Sequence, residues 1–100
     1  MSLIINETEL FSKWLKSLSD KRAKAKIIAR IRRATLGNFG DYKVLGNGVN
    51  ELKIDSGKGY RIYYARQDKT VYLLLLGGDK STQSKDIKIA KELWEKINKD

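Results

Sequence analysis

Residues 49–83 read VNELKIDSGKGYRIYYARQDKTVYLLLLGGDKSTQ, and they decide the fold. Three apolar-rich runs, 49–54, 60–65 and 70–76, are separated by Asp55-Ser56-Gly57-Lys58-Gly59 and Arg66-Gln67-Asp68-Lys69. Gly, Asp and Ser clustered between runs rich in β-branched and aromatic residues mark turns between strands. Connections this short join only antiparallel neighbours, so the spacing predicts a β-meander. The last run, Val71-Tyr72-Leu73-Leu74-Leu75-Leu76, does not alternate. It predicts a central strand buried on both faces, ended by a turn at Gly77-Gly78-Asp79-Lys80. The other two runs alternate. Leu52, Ile54, Tyr60, Ile62 and Tyr64 point to one side; Glu51, Lys53, Arg61 and Tyr63 point to the other. The apolar side is expected to take the helices, leaving the second side open.

Upstream, 42–45 reads as one more short strand, joined to residue 49 by the tight turn Gly46-Asn47-Gly48. Before it, Ser19 or Asp20 caps a helix from Lys21 to about Leu36, with Ala23, Ile27, Ile28, Ile31 and Ala34 as its buried stripe and Gly37 as its left-handed C-cap. An earlier helix, capped by Asn6 with Glu9 three positions on, carries Leu10, Phe11, Trp14, Leu15 and Leu18 at helical spacing. Trp14 reads as core, with base stacking as its other use. The break between the two helices is short, which predicts an antiparallel two-helix hairpin. Residues 2–5 form a short N-terminal strand. A C-terminal helix starts at Thr82 or Ser84, with Ile87, Ala90, Leu93, Trp94 and Ile97 as its stripe. The fold class is α+β: N-terminal strand, helical hairpin, meander of three to four strands, C-terminal helix, all in one domain of 100 residues.

Composition narrows the chemistry. The chain has no cysteine and no histidine, so disulfides, thiolate nucleophiles, imidazole bases and zinc sites are out. MSLIINETEL lacks the basic start and long apolar run of a secretion signal, and residues 71–76 are far too few to span a bilayer. The cytoplasm is the expected compartment. The net charge is +9, from 21 Lys+Arg against 12 Asp+Glu. That favours a polyanionic partner: nucleic acid, an acidic protein or an anionic membrane. The second helix concentrates it as Lys21, Arg22, Lys24, Lys26, Arg30, Arg32 and Arg33, with no acid between Asp20 and Asp41. Such a run is either a solvated face or a nucleic-acid surface. Unrelieved like charges at i, i+4 cost stability, which favours the second.

The Arg-rich helix ending in Gly37-Asn38-Phe39-Gly40-Asp41, then Asn47-Gly48-Val49-Asn50-Glu51-Leu52-Lys53-Ile54, Gly57-Lys58-Gly59-Tyr60-Arg61-Ile62-Tyr63-Tyr64, and Leu76-Gly77-Gly78-Asp79-Lys80-Ser81-Thr82-Gln83 with Asp86-Ile87, closely resemble the HigB-like addiction-module killer proteins of the RelE/ParE toxin superfamily. The resemblance covers nearly the whole chain. It implies a bacterial type II toxin that binds the ribosome, cleaves mRNA and is held inactive by a cognate helix-turn-helix antitoxin, HigA-like. RelE-type cleavage uses the RNA's own 2′-hydroxyl as nucleophile, leaves a 2′,3′-cyclic phosphate and needs no metal or cofactor. The superfamily also contains ParE-like gyrase inhibitors. Those lack the basic catalytic set, whereas Lys53, Arg61 and Lys80 are present here. Many endonuclease members carry a His, or a C-terminal Tyr or Arg, in the site; this chain has no His, and its last aromatic is Trp94.

For that chemistry a fixed guanidinium answers the charge on the phosphorane with two parallel hydrogen bonds, which selects Arg61. Lys53, Lys80, Glu51, Tyr63 and Tyr64 are the candidates for moving protons. A lysine acts as base only where burial or neighbouring cations depress its pKa, and Lys53 beside Arg61 is such a cluster. Glu51 is either the competing base or a structural partner for Lys53 or Arg61. Lys80 either reaches a phosphate from the Gly-Gly turn or is solvated. Lys58, in the Gly-Lys-Gly turn, is a further candidate for nucleic-acid binding. Gln83 either reads a base edge or helps cap the helix. Alternation leaves Tyr63 as the stacking candidate, with Tyr64 in its place if a bulge shifts the register.

Overall fold

The computed structural model describes residues 2–99. Its elements run β1 (Ile4–Glu7), α1 (Glu9–Ser17), α2 (Lys21–Thr35), β2 (Tyr42–Gly46), β3 (Val49–Ile54), β4 (Tyr60–Asp68), β5 (Val71–Asp79), a 3-10 turn (Lys80–Thr82) and α3 (Gln83–Lys99). The α+β class, the meander and the C-terminal helix stand as expected. Strands β2 to β5 form the antiparallel meander, and β1 adds to β5 in parallel, giving the order β1-β5-β4-β3-β2.

Both faces of this sheet are covered. Phe11, Ala23 and Ile27 of α1 and α2 pack on Leu52, Ile54, Tyr60, Ile62, Tyr64 and Leu74. On the other face, Ala90 and Trp94 of α3 pack on Val49, Tyr63, Ala65, Leu73, Leu75 and Leu76. Alternation along β3 and β4 is as expected: Glu51, Lys53, Arg61 and Tyr63 do share a side. That side is not open, however, because α3 lies on it. A chain with a strand apolar on both faces needs cover on both, and the stripe of α3 supplies the second layer.

Several boundaries move for identifiable reasons. The N-terminal strand is Ile4–Glu7, so Asn6 is within it, and Thr8 caps α1 instead: its Oγ1 accepts the Phe11 N–H at 3.0 Å and donates to the Leu75 carbonyl at 2.8 Å. Leu75 is the extra residue of a bulge, since Tyr63 pairs with Leu76 and Tyr64 with Leu74. The bulge turns Leu75 and Leu76 to the α3 side together. Asp20 caps α2, accepting the Ala23 N–H at 3.0 Å. The expected turn at 66–69 is shorter than drawn, because β4 continues to Asp68. The expected turn at Gly77-Gly78-Asp79-Lys80 is overturned: β5 runs through both glycines to Asp79. No helix among the described residues is long and apolar enough to cross a membrane.

Candidate active site

Lys53, near the end of β3, and Arg61, near the start of β4, are direct cross-strand partners, and Arg61 pairs in turn with Gly78 of β5. Like charges facing across an antiparallel pair are destabilising. Arg61 is 6% exposed. Its Nη1 donates to the Gly59 carbonyl, and its Nε is enclosed without a partner. Among the described residues no carboxylate lies within 4.0 Å of it. A buried cation without a counter-ion costs several kcal/mol of desolvation. Lys53 is exposed, with Asp55 Oδ1 at 3.9 Å from its Nζ.

These residues line a notch of about 230 Å³ together with Gly57, Lys58, Gly59 and Lys80. The turn from β3 to β4 forms one wall and the 3-10 turn after β5 the other. Gly59, at φ +75°, lets the first wall come close: a Cβ there would lie 2.9 Å from Arg61 Nη1 and 3.6 Å from Lys80 Cβ. Asp79 fixes the second wall. Its Oδ1 accepts the Ser81 N–H at 2.8 Å and the Ser81 hydroxyl, and these bonds hold its carboxyl below the ordinary aspartate pKa. Three cations thus flank one buried guanidinium, and the accessible acid of the notch is Asp55.

A second groove, lined by Lys26, Arg30 and Arg33 of α2 with Asp41, shares Lys53 and Asp55 with the notch. The cationic surface therefore runs from Lys80 through Lys53 onto α2. Lys21, Arg22, Lys26, Arg32 and Arg33 are exposed there, and Lys24 is half-buried. Arg30 differs. Its Nη1 donates to the Lys53 carbonyl at 2.7 Å, and its Nη2 to those of Phe39 and Asp41 at 3.0 and 3.1 Å. Burial first, then Arg33, lower its pKa. Arg30 is a strut binding α2 to the following loop and to β3, which corrects its expected place on the open face. Helical angle gives it away: Arg30 follows Ile27 by three and precedes Ala34 by four, on the buried stripe.

Residues 13–98 match the phage-derived protein Gp49-like family. The chain belongs to this family of RelE-type toxins. The Gp49-like chain is 52% identical over 97 residues to an uncharacterized protein of Haemophilus influenzae, covering 97% of this chain and 98% of that one. Its fold is that of a mutant of the E. coli toxin RelE in the free state, with a TM-score of 0.68 at 19% identity, over 89% of this chain and 98% of the other.

Of the residues expected at the site, the Gp49-like toxin brings Lys53, Lys58, Arg61 and Lys80 together. The others lie elsewhere. Tyr63 is fully enclosed between the sheet and α3, so it offers no face for stacking. Burial first, then the Glu51 and Asp86 carboxylates, push its hydroxyl well above the ordinary phenol value, and that hydroxyl has no partner. Tyr64 lies on the α1–α2 side with its ring stacked on Phe39, centroids 5.2 Å apart; burial, then Tyr42 and Tyr72, raise its pKa as well. Glu51 is buried, and Gln83 Nε2 donates to its Oε2 at 3.0 Å. That bond replaces both expected pairings: Glu51 partners neither Lys53 nor Arg61, and the Gln83 side chain is committed to Glu51. Asp55 was not foreseen. It is the first residue of the turn after β3, two positions beyond Lys53.

Proposed function

We propose that this Gp49-like toxin is a HigB-like endoribonuclease that cuts mRNA on the ribosome, in the cytoplasm, and is restrained by a helix-turn-helix antitoxin of the HigA type. One observation carries the reading: a buried guanidinium with no carboxylate within 4.0 Å among the described residues faces a notch rimmed by Lys53, Lys58 and Lys80. An RNA phosphate is the anion that this arrangement lacks. In the proposed step the 2′-oxygen attacks the adjacent phosphorus, the bond to the 5′-oxygen breaks, and a cyclic phosphate and a 5′-hydroxyl result. Arg61 donates to the non-bridging oxygens as their charge grows. Lys58 and Lys80 hold the phosphate between the two walls. The 2′-hydroxyl proton must leave and the 5′-oxygen must gain one; Lys53, Lys80 and Asp55, which line the notch, are the groups proposed to exchange them. Tyr63 and Tyr64 keep their protons inside the core and take no part.

Primer extension on cellular mRNA after induction tests this. Wild type should cut within translated codons. Arg61→Ala, checked for folding by circular dichroism, should lose about 3 kcal/mol of transition-state stabilisation, roughly a hundredfold in rate. A folded Arg61→Ala chain that cuts as fast as wild type removes Arg61 from the site. Intact mRNA with blocked DNA supercoiling would replace the ribonuclease reading by gyrase inhibition.

A further inference from the structure

Strand β2 is the outermost strand of the sheet and pairs only with β3. Tyr42 and Val44, opposite Leu52 and Asn50, are 55% and 69% exposed. They sit on the α1–α2 side, yet α2 has ended at Thr35, and the loop after it borders a groove of about 510 Å³ instead. Phe39, Tyr42, Val44, Tyr64, Tyr72 and Arg66 line this groove. Phe39 lies flat on Tyr64 and tilts onto Tyr72 with centroids 4.9 Å apart, so the floor is packed aromatic surface. Leu36, beside the groove-lining Gly37, is exposed too.

Sheet edges of this kind are normally short, charged or covered, because their free N–H and C=O groups recruit another strand. At the opposite edge the Leu3 N–H, just before β1, donates to the Thr35 carbonyl at the end of α2. At β2 the edge is open, and the side chains on its groove side, Tyr42 and Val44, are largely apolar and exposed. The charges on the groove and the strand are basic, with Asp41 just before the strand. Arg66 is the only charged lining residue; its Nε and Nη2 donate to the Asp68 and Lys69 carbonyls, and its Nη1 has no such bond among the described residues. Lys43 lies on the strand opposite Glu51. Asp41 lines the other groove, with Lys26 and Arg33.

We infer that β2 and its aromatic groove dock an extended, acidic segment of the antitoxin. The segment adds as a sixth strand along β2, sets an apolar side chain among Phe39, Tyr42 and Val44, and meets Lys43 and Arg66 with carboxylates. A nucleobase could stack on the aromatics, but it would leave the strand edge and Val44 without a partner. The identity of the partner rests on the toxin–antitoxin reading. The place of docking does not: the groove lies on the sheet face opposite to Lys53 and Arg61, and only Lys43, opposite Glu51, belongs to their side.

Hydrogen–deuterium exchange on the full chain, alone and co-purified with the antitoxin encoded beside it, tests the inference. Amides 42–46 should become protected in the complex. Val44→Glu should raise the Kd at least tenfold, Val44→Ile should leave it within twofold, and both should remain as toxic as wild type when expressed without antitoxin. Unprotected β2 amides in a formed complex, or an unchanged Kd for Val44→Glu, overturn the inference and leave the toxin–antitoxin reading standing. A wild-type chain that binds no antitoxin overturns both. A single-stranded oligoribonucleotide that protects residues 39–44 where the antitoxin does not overturns the choice of a protein partner.

Discussion

Gly77 and Gly78 show at single-residue scale why β5 carries two glycines just before its last residue, Asp79. Neither has a positive φ, so turn geometry is not the reason. A Cβ on Gly77 would lie 2.1 Å from Trp14 Cε3, and one on Gly78 would lie 1.9 Å from Asp86 Oδ2. Each glycine is a seat: the indole of α1 rests on one face of β5, and the first turn of α3 rests on the other. The seats differ in stiffness. The indole is rigid, tilted against Phe11 and edge-on to Tyr60, whereas the Asp86 carboxylate can turn away at the expense of its 2.6 Å bond from Thr82 Oγ1. Gly77→Ala should therefore cost about 2–3 kcal/mol, the range of overpacking, and Gly78→Ala about 1 kcal/mol, that of one hydrogen bond. Urea denaturation measures both. In a Trp14→Ala background Gly77→Ala should become nearly neutral, because the clashing ring is gone. If the two costs simply add, the seat is not what Gly77 provides.

At the scale of elements, α3 carries the lesson about what could be read in advance. Its stripe of Ile87, Ala90, Leu93, Trp94 and Ile97 was legible, as was the unbroken apolar run of β5. Together they require a second covered face. Glu51 and Arg61 obscured this, because charged residues are so rarely buried that alternation reads them as facing solvent. Register, by contrast, follows from turn length, so the pairing of Lys53 with Arg61 is legible in the sequence. The parallel docking of β1 and the bulge at Leu75 are long-range outcomes with no local signal. The start of α3 also carries a pH dependence. Asp79 caps the turn leading into it, and its folded-state pKa is lowered by the Ser81 bonds. Its stabilisation is therefore present above the unfolded value, about 3.9, and is lost as pH falls through the lower folded value. Asp79→Ala should have a lower urea midpoint than wild type at neutral pH, and the gap should narrow steadily below about pH 4. A gap that widens in acid would contradict the sign.

At the scale of the whole molecule, charge is distributed rather than merely abundant. The +9 excess includes a strip from Lys80 through Lys53 to Lys26 and Arg33, while α3 pairs Glu95 with Lys99 on its solvent face. If the strip tracks an RNA backbone, salt dependence counts its contacts. Single-stranded binding loses about 0.7 in logarithmic slope for each phosphate neutralised. Four notch cations would give a slope near −3, and α2 would steepen it. Anisotropy titrations of a single-stranded oligoribonucleotide, from about 50 to 200 mM salt, measure it. Neutralising Lys26 and Arg33 together should flatten the slope by roughly 1.4. Replacing Lys88 and Lys91 of α3 by glutamine removes the same charge from a different surface and should leave the slope unchanged. Equal flattening by both pairs would mean that RNA responds only to net charge, and the strip would then have no directional role. Arg30 gives a further discrimination. Because its three bonds go to backbone carbonyls, Arg30→Gln should lower stability more than it changes the slope, separating the strut from the surface around it.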